Sequence, residues 1–232
     1  MTEAASQLPR PPLYGIGSCR VGSDYVDFEI GWDEFERDTD WAENVVTVAG
    51  LGRGDLVLVT AGNWECPWVS PVMHALRRIG VTYLTADVYN WDARRVSMFL
   101  QRLPVKALLG LGAETLTALA ADEPPLDDLL RGVEFIWARH DAMVQLAGAG
   151  PHVVPFVQLG PALAMGLPGR PGAVVDGKEW RVENDDGFLV VSNVAIRAAR
   201  FDRVHTGVKG TVRSVENDVV TVDLADLERD VT

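Results

Sequence analysis

The sequence has 232 residues, 47% of them apolar, which is enough to bury a substantial core in one large or two small domains. Its formal charge is −12, from 33 acidic and 21 basic residues, so the chain would repel a nucleic-acid backbone and we expect no nucleic-acid partner. Two cysteines are too few for a disulfide scaffold or a cysteine zinc site. No stretch approaches the ~18 apolar residues of a membrane helix. We therefore expect a soluble cytoplasmic protein without a membrane partner.

The first predicted elements are a polar lead-in, a glycine-rich loop, a strand and a helix. Residues 1–12 are polar and rich in proline, and we expect them to be disordered. Residues 15–22 (GIGSCRVG) are predicted to form a loop. Residues 25–30 alternate apolar and polar side chains, which is the period of a half-buried strand. A helix is then expected from about Glu34.

Buried apolar runs alternate with helical patterns from residue 45 to residue 121. Strands are predicted at 56–60, 81–85 and 107–111, with a fourth within 132–138, and helices at 67–78, 92–103 and 114–121. This alternation is typical of βαβ units and a parallel sheet, and right-handed crossovers would make the sheet an open, doubly wound layer. The sequence therefore predicts an α/β core over residues 13–150.

The pattern changes after residue 150. Helical periodicity fades, and short β-rich runs follow at 179–183, 187–191, 210–215 and 219–222. Residues 215–219 (VENDV) are predicted to form a hairpin turn. The fold class that we predict is α/β, with a doubly wound, mostly parallel sheet followed by a small β-rich subdomain over residues 151–232.

Six segments carry a resemblance to a known family, and two of them, residues 73–84 and 106–110, resemble the family's βαβ units. Residues 50–59 (GLGRGDLVLV) are similar to a G-x-x-x-G-D-x-V-x-V motif, residues 157–176 to a segment running from Y-G-x-T-E to G-L-H-V, residues 187–192 (GFLVVS) to G-E-L-V-V-T, and residues 200–208 (RFDRVHTGV) to the region of R-Y-R-T-G-D. These motifs belong to the adenylate-forming (acyl-CoA ligase) superfamily, and the chain most resembles phenylacetate–CoA ligases. Full ligases of this family are much longer, so the resemblance implies that an N-terminal portion and the mobile C-terminal domain are absent.

The resemblance places the family's phosphate loop, S-S-G-T-T-G-K-P, at residues 17–22. Gly17, Ser18 and Gly22 are what remains of it in residue type, and an Arg-Val pair replaces the two hydroxyl residues. Arg20 could still hold an anion, so a phosphate-loop remnant stands beside an ordinary glycine-rich turn as the two interpretations of this segment.

Two further motif positions have lost the residues that the family's chemistry needs. Gly160-Pro161 stands where the family has the Thr-Glu pair that helps to hold Mg²⁺. Thr206 and Gly207 remain as a ribose-site remnant, but Val208 replaces the aspartate that accepts hydrogen bonds from the ribose. Adenylate formation is therefore not expected, and we predict no catalytic residue, no metal and no required cofactor. AMP or ATP is implied by the resemblance alone.

A ligand pocket is predicted where the first core strand ends. Asn63, Trp64 and Trp68 follow that strand, at the edge of a parallel sheet where ligands usually bind. In the family this turn helps to line the acyl or aryl pocket, to which the resemblance adds Gln158 and Gly160. The other interpretation is that both tryptophans are anchors of the core or of an interface.

Three functional hypotheses follow. The first is a non-catalytic, ligase-like domain that binds a small aromatic, acyl or nucleotide ligand, or that interacts with a partner, either a second copy or an active ligase. The alternative is a residual AMP-forming ligase of acyl or aryl acids that needs a partner protein. The third is that the likeness reflects only a generic α/β scaffold, because a fold does not define a function.

Overall fold

The computed structural model describes residues 13–21, 24–148 and 152–225. The predicted lead-in at residues 1–12 lies outside these ranges. No helix within them is both long enough and apolar enough to cross a membrane.

The described chain begins with a hairpin and a long helix. Strand β1 (Leu13–Val21) pairs antiparallel with β2 (Asp24–Gly31), and helix α1 (Trp32–Val48) follows directly. The helix is capped by Glu34, whose carboxylate accepts a hydrogen bond from the Gly31 N–H at 2.9 Å. The helix that the sequence predicted in this region is confirmed, with its first turn slightly earlier than expected.

Five parallel strands alternate with helices in the next part of the chain. The strands are β3 (Leu56–Thr60), β4 (Thr82–Ala86), β5 (Ala107–Leu111), β6 (Phe135–Ala138) and β7 (His152–Leu159). The helices are α2 (Cys66–Arg78), α3 (Ala93–Arg102), α4 (Ala113–Ala120), α5 (Leu126–Leu130) and α6 (His140–Met143), with single 3₁₀ turns at Asn63–Glu65 and Asn90–Asp92. The strand order is β4-β3-β5-β6-β7, so the winding direction reverses between β3 and β5.

Helices cover both faces of this parallel sheet. Val57 and Val59 of β3 pack in a core with α1 and α2, whereas Leu58 between them packs in a second core with α3 and α4. Successive side chains of a strand point to opposite faces, so a strand covered on both sides is apolar throughout. The predicted α/β, doubly wound architecture is confirmed.

The β-rich part continues the same sheet. Its strands are β8 (Ala162–Gly166), β9 (Ala173–Asp176), β10 (Trp180–Asp185), β11 (Phe188–Asn193), β12 (Val204–Glu216) and β13 (Val219–Leu224). Strand β7 pairs parallel with β6 on one side and antiparallel with β8 on the other, and the order continues as β8-β9-β13-β12-β11-β10. The result is one sheet of eleven strands among the described residues.

The predicted hairpin turn is confirmed. Residues Asn217 and Asp218 both have positive φ angles, 48° and 63°, between β12 and β13. This is the conformation of a two-residue type I′ turn, which matches the twist of the strands that it joins.

Candidate functional site

The segment predicted as a glycine-rich loop is a strand, which corrects that expectation. Ser18 pairs with Asp27 and Arg20 with Tyr25 in the β1–β2 hairpin, and Gly22 lies outside the described residues. Buried and exposed residues alternate in β1. The sequence does not show this pattern, because glycines and a cysteine occupy the inward positions instead of larger apolar side chains.

The inward glycine of β1 is required by packing. A Cβ atom at Gly17 would lie 2.6 Å from the Phe28 ring and 2.7 Å from the Pro67 ring, at the start of α2. Burial raises the pKa of the neighbouring Cys19 thiol to about 11, so this cysteine is a core residue rather than a reactive thiol. In this structure the strand therefore packs the hairpin against α2.

A buried ion pair lies at the carboxyl ends of the central strands, where the winding direction reverses. Glu65, in the 3₁₀ turn after β3, has no exposed surface. Its carboxylate accepts hydrogen bonds from both terminal nitrogens of Arg139, with Nη2 at 2.7 Å from Oε2, and one from the Gly62 N–H at 2.8 Å. The Gln158 amide donates a further bond to Glu65 Oε1 at 2.9 Å.

The guanidinium of Arg139 also binds the ends of two strands. Its Nε donates to the Gly110 carbonyl at 2.8 Å, and its Nη2 to the Thr60 carbonyl at 3.1 Å. Gly110 has a φ of +82° at an irregularity of β5, and a Cβ atom there would lie 2.4 Å from the Thr60 oxygen. Only glycine fits this position without strain. The pair thus joins the ends of β3, β5, β6 and β7.

The predicted pocket residues are only partly brought together. Gln158 reaches the turn that carries Asn63 and Trp64, but its amide is bound to Glu65. Asn63 is exposed, and the Trp64 side chain is 54% exposed. Trp68 is buried, with its ring edge against Phe28 in the core between the hairpin and the β-rich strands.

The two motif remnants in the β-rich part lie side by side. Gly160 forms the turn between β7 and β8, and a Cβ atom there would be 3.9 Å from Thr206 Cγ2. The Thr206 hydroxyl donates to the Leu189 carbonyl at 2.7 Å and accepts from the Val208 N–H at 3.1 Å. Gly207 has a φ of +72° within β12. Val208 packs against the core cluster beneath these strands.

An ionic cluster that the sequence analysis missed joins α1 to the β-rich part. Arg197 contacts Asp38 at 2.6 Å and Glu179 at 2.6 Å, and Arg37 reaches the same glutamate at 2.6 Å. The guanidinium of Arg197 lies 4.7 Å from the centre of the Trp180 ring. Burial alone would lower the pKa of Arg197, but its hydrogen bond with Asp38 and the surrounding carboxylates raise it, so this arginine stays charged. The pairs that join α1 to the β-rich part are more than a hundred residues apart in the sequence, so no local motif indicates them.

Two adjoining cavities lie beside this cluster, between α1 and the sheet. The inner cavity has a volume of about 30 Å³ and includes Trp41, Trp68, Asp176 and Trp180 in its lining. The outer cavity has a volume of about 590 Å³ and shares Trp41 and Asp176 with the inner one. Within the described ranges, no three His, Cys, Asp or Glu side chains are grouped so that they could hold a metal ion.

Comparison with known proteins identifies the fold. No protein-family model matches the sequence, and no curated protein matches it. An open conformation of 2-hydroxyisobutyryl-CoA ligase with 2-HIB-AMP and CoA is similar at a TM-score of 0.71 and 13% identity, over 94% of this chain and 57% of that chain. The same ligase in the postadenylation state with R3-HIB-AMP gives 0.71 and 13%, over 96% of this chain and 54% of that one.

An ATP-bound RpMatB-BxBclM chimera, B3, is also similar, with a TM-score of 0.60 and 12% identity over 93% of this chain and 49% of that chain. The chain therefore has the fold of adenylate-forming acyl-CoA ligases. It spans about half the length of these solved structures.

Proposed function

We propose that this protein is a non-catalytic binding protein built on the acyl-CoA ligase fold. We also propose, from the motif remnants, descent from enzymes that resemble phenylacetate–CoA ligases. The observation that carries the proposal is the network of Glu65, Arg139 and Gln158. It occupies the carboxyl ends of four neighbouring strands, the edge of the sheet where a ligand of such a fold is expected.

The buried pair opposes the use of this edge as a substrate site. An acid and a nucleotide must be held in register with groups that neutralise the developing charge. Here the charged groups neutralise one another, and they also make hydrogen bonds with two strand ends and with Gly62. Leaving one member of a buried ion pair without its partner typically costs ~3–5 kcal/mol, which substrate binding would have to offset.

The β-rich strands support the same proposal. Thr206 lies next to Gly160, and its hydroxyl is bound to backbone groups on both sides. Val208 packs against the core and offers a hydrocarbon side chain where a ligase needs an acceptor.

Hydroxamate trapping tests the proposal directly. The protein is incubated with ATP, Mg²⁺, hydroxylamine and a panel of acyl and aryl acids that includes phenylacetate and 2-hydroxyisobutyrate. We expect no acyl hydroxamate above a no-enzyme blank, with an active acyl-CoA ligase as the positive control. ATP-dependent hydroxamate formation with any acid would refute the non-catalytic role and support the residual ligase instead.

A nucleotide is a separate part of the test, because the similar structures carry ATP or an acyl adenylate. A ligand that binds the native state raises the melting temperature, and the rise grows with the logarithm of the ligand concentration once that concentration exceeds the Kd. We expect ATP and AMP, each titrated to millimolar concentrations, to leave the melting temperature unchanged. A concentration-dependent rise would mean that a nucleotide site is retained.

A second candidate function is interaction with a protein partner, either a second copy or an active ligase. The observation that favours it is a set of exposed aromatic side chains in the loops after β3 and β4: Trp64 is 54% exposed, Tyr89 40% and Trp91 65%. Parallel neighbours place these loops at one edge of the sheet, and exposed aromatic groups are enriched at interfaces. Light scattering of the wild type and of Trp91→Ser tests it: a dimer that the substitution dissociates supports this candidate, and a monomer in both counts against it.

A further inference from the structure

Two cavities between α1 and the sheet together make up the surface that we call the groove. They share Trp41 and Asp176, so the outer cavity of about 590 Å³ adjoins the inner one of about 30 Å³. The outer volume lies within the ~300–1,000 Å³ that is usual for small-molecule sites.

The lining of the outer part of the groove combines apolar side chains of α1 and β13 with charged and amide side chains. Trp41, Val45 and Val48 follow one another at helical spacing along α1, and Val219 faces them from β13. Val48 is 57% exposed and Val219 38% exposed, so this surface is open to solvent. A hydrocarbon ligand would bury these side chains, with a gain of roughly 25 cal/mol per Å² of apolar area.

The inner end holds an unsatisfied donor and a nearby acceptor. The indole N–H of Trp68 is buried and has no hydrogen-bond partner among the described residues. Asp176 lines the same cavity, and one of its oxygens accepts the Lys178 N–H at 3.0 Å. The other carboxylate of the cavity, Asp38, is bound by both terminal nitrogens of Arg197.

The Trp68 indole and the Asp176 carboxylate determine which functional group a ligand can place in the inner cavity. An indole N–H only donates and an ionised carboxylate only accepts, so a group that satisfies both must accept from Trp68 and donate to Asp176. A hydroxyl does so. A carboxylate would face the like charge of Asp176, and an ammonium group cannot accept the indole hydrogen.

We propose that the groove binds an elongated apolar molecule that ends in a hydroxyl group, with the hydroxyl between Trp68 and Asp176 in the inner cavity. This inference rests on the binding role proposed above and names the ligand class for it. A water molecule can make the same two bonds, but only an alcohol also buries the apolar surface of α1. The ligand therefore differs from the acids that acyl-CoA ligases activate.

Calorimetric titration with three probes of equal chain length tests the ligand class. We expect 1-octanol to bind saturably at pH 7, and octanoate and octylammonium to bind more than about tenfold more weakly. Octanoate would face a like charge, and octylammonium would leave the buried indole N–H unsatisfied. Equal or tighter binding of either ion would overturn the proposal, as would the lack of saturable binding by 1-octanol.

Two pairs of variants test the location. Trp68→Phe removes the N–H and should weaken 1-octanol binding about 2–10-fold, the effect of one hydrogen bond, whereas Trp64→Phe, outside the groove, should not. Val48→Asp changes an exposed side chain and should weaken binding more than about tenfold, because it places a charge against the hydrocarbon chain. Val144→Asp, equally exposed but on another surface, is its control. Equal effects within either pair would refute the site.

The two proposals fail in different experiments. Hydroxamate formation would overturn the non-catalytic role while leaving the alcohol titration as it is. Lack of alcohol binding, with no hydroxamate formed, would overturn the groove proposal and leave the non-catalytic role intact.

Discussion

Glu65 and Arg139 are a pair of charges whose cost of burial is offset only while both are present. The glutamate has no exposed surface, and the arginine side chain is 16% exposed. Desolvation of two ions is expensive, and it is compensated here by a bidentate contact and by bonds to two backbone carbonyls, one backbone N–H and the Gln158 amide. The pair is therefore a position at which a single substitution should be severe and a double substitution mild.

Glu65→Ala should lower the free energy of unfolding by about 3–5 kcal/mol, because it leaves the Arg139 charge buried without a partner. The double variant Glu65→Leu with Arg139→Met should cost less than the single one, since it removes both charges. Urea denaturation monitored by circular dichroism measures these differences. Glu183→Ala breaks an exposed contact with Arg203 and should cost less than about 1 kcal/mol. Equal losses in Glu65→Ala and this control would contradict the account.

Asp176 gives a prediction about pH. Burial raises the pKa of its carboxyl above the ordinary value, and the nearby Glu179 and Asp38 charges add to the shift. The folded protein then holds the proton more tightly than the unfolded chain, so stability falls as the pH rises from ~4 through the raised pKa, and the loss persists above it.

Asp176→Asn cannot ionise and should melt at a higher temperature than the wild type at pH 7, with the difference shrinking as the pH is lowered toward ~4. Scanning calorimetry over this range measures it. Asp202→Asn, at an exposed carboxylate, should give no such trend. A melting temperature for Asp176→Asn at or below that of the wild type at pH 7 would show that the ionised carboxylate stabilises the fold.

The chemistry of a residue could be predicted from the sequence only where it depends on a short motif around that residue. Val208 and Gly160-Pro161 are visible as substitutions within motifs, and the structure places Gly160 beside Thr206. The partners of Glu65 and Arg197 could not be predicted, because their carboxylate and guanidinium groups meet through tertiary packing across 74 and 159 residues. No periodicity or short motif encodes such contacts.

The turn between β12 and β13 leads to a prediction at the scale of the element. Asp218 has a φ of 63°, a conformation that costs free energy for any residue with a Cβ atom. Asp218→Gly should raise the free energy of unfolding by ~0.5 kcal/mol, since Asn-Gly is a preferred type I′ pair and the lost contact with Lys178 is a weak surface pair. Asp218→Ala should lower it by about 1 kcal/mol. Urea denaturation decides between them, and a loss of stability in Asp218→Gly would contradict the strain argument.

Elements with a clear sequence pattern were predicted accurately, and elements whose pattern is interrupted were missed. Strands β3 and β5 are continuous apolar runs between helical patterns, and the sequence predicted both with their observed bounds. Strands β7, β8 and β9 were not predicted. Pro155 lies within β7, and Gly160, Gly166 and Gly172 interrupt the pattern. A Cβ atom at Gly166 would lie 2.5 Å from the Pro155 ring, so the close approach of β7 and β8 requires glycine at this position. The same glycine interrupts the apolar pattern by which β8 could have been predicted.

At the scale of the whole molecule, the change of sequence pattern at residue 150 does not interrupt the sheet. Strand β7 pairs with β6 and β8, and Phe156, Met165 and Leu167 from beyond that residue pack in the same core as α1 and α2. The indole of Trp137 in β6 also donates a bond to the Gly166 carbonyl at 2.9 Å. The two parts therefore share hydrogen bonds and apolar burial, which couples their stability.

This coupling predicts that the two parts unfold together. Hydrogen exchange of the native protein, followed by mass spectrometry, should give the same opening free energy for the most protected amides of β5 and β11, because both exchange through global unfolding. Glu65→Ala, although it lies in the parallel part, should lower protection in β11 as much as in β5. Loss confined to β5 would show instead that the β-rich strands form a separate cooperative unit, joined to the parallel sheet by backbone bonds too weak to couple them.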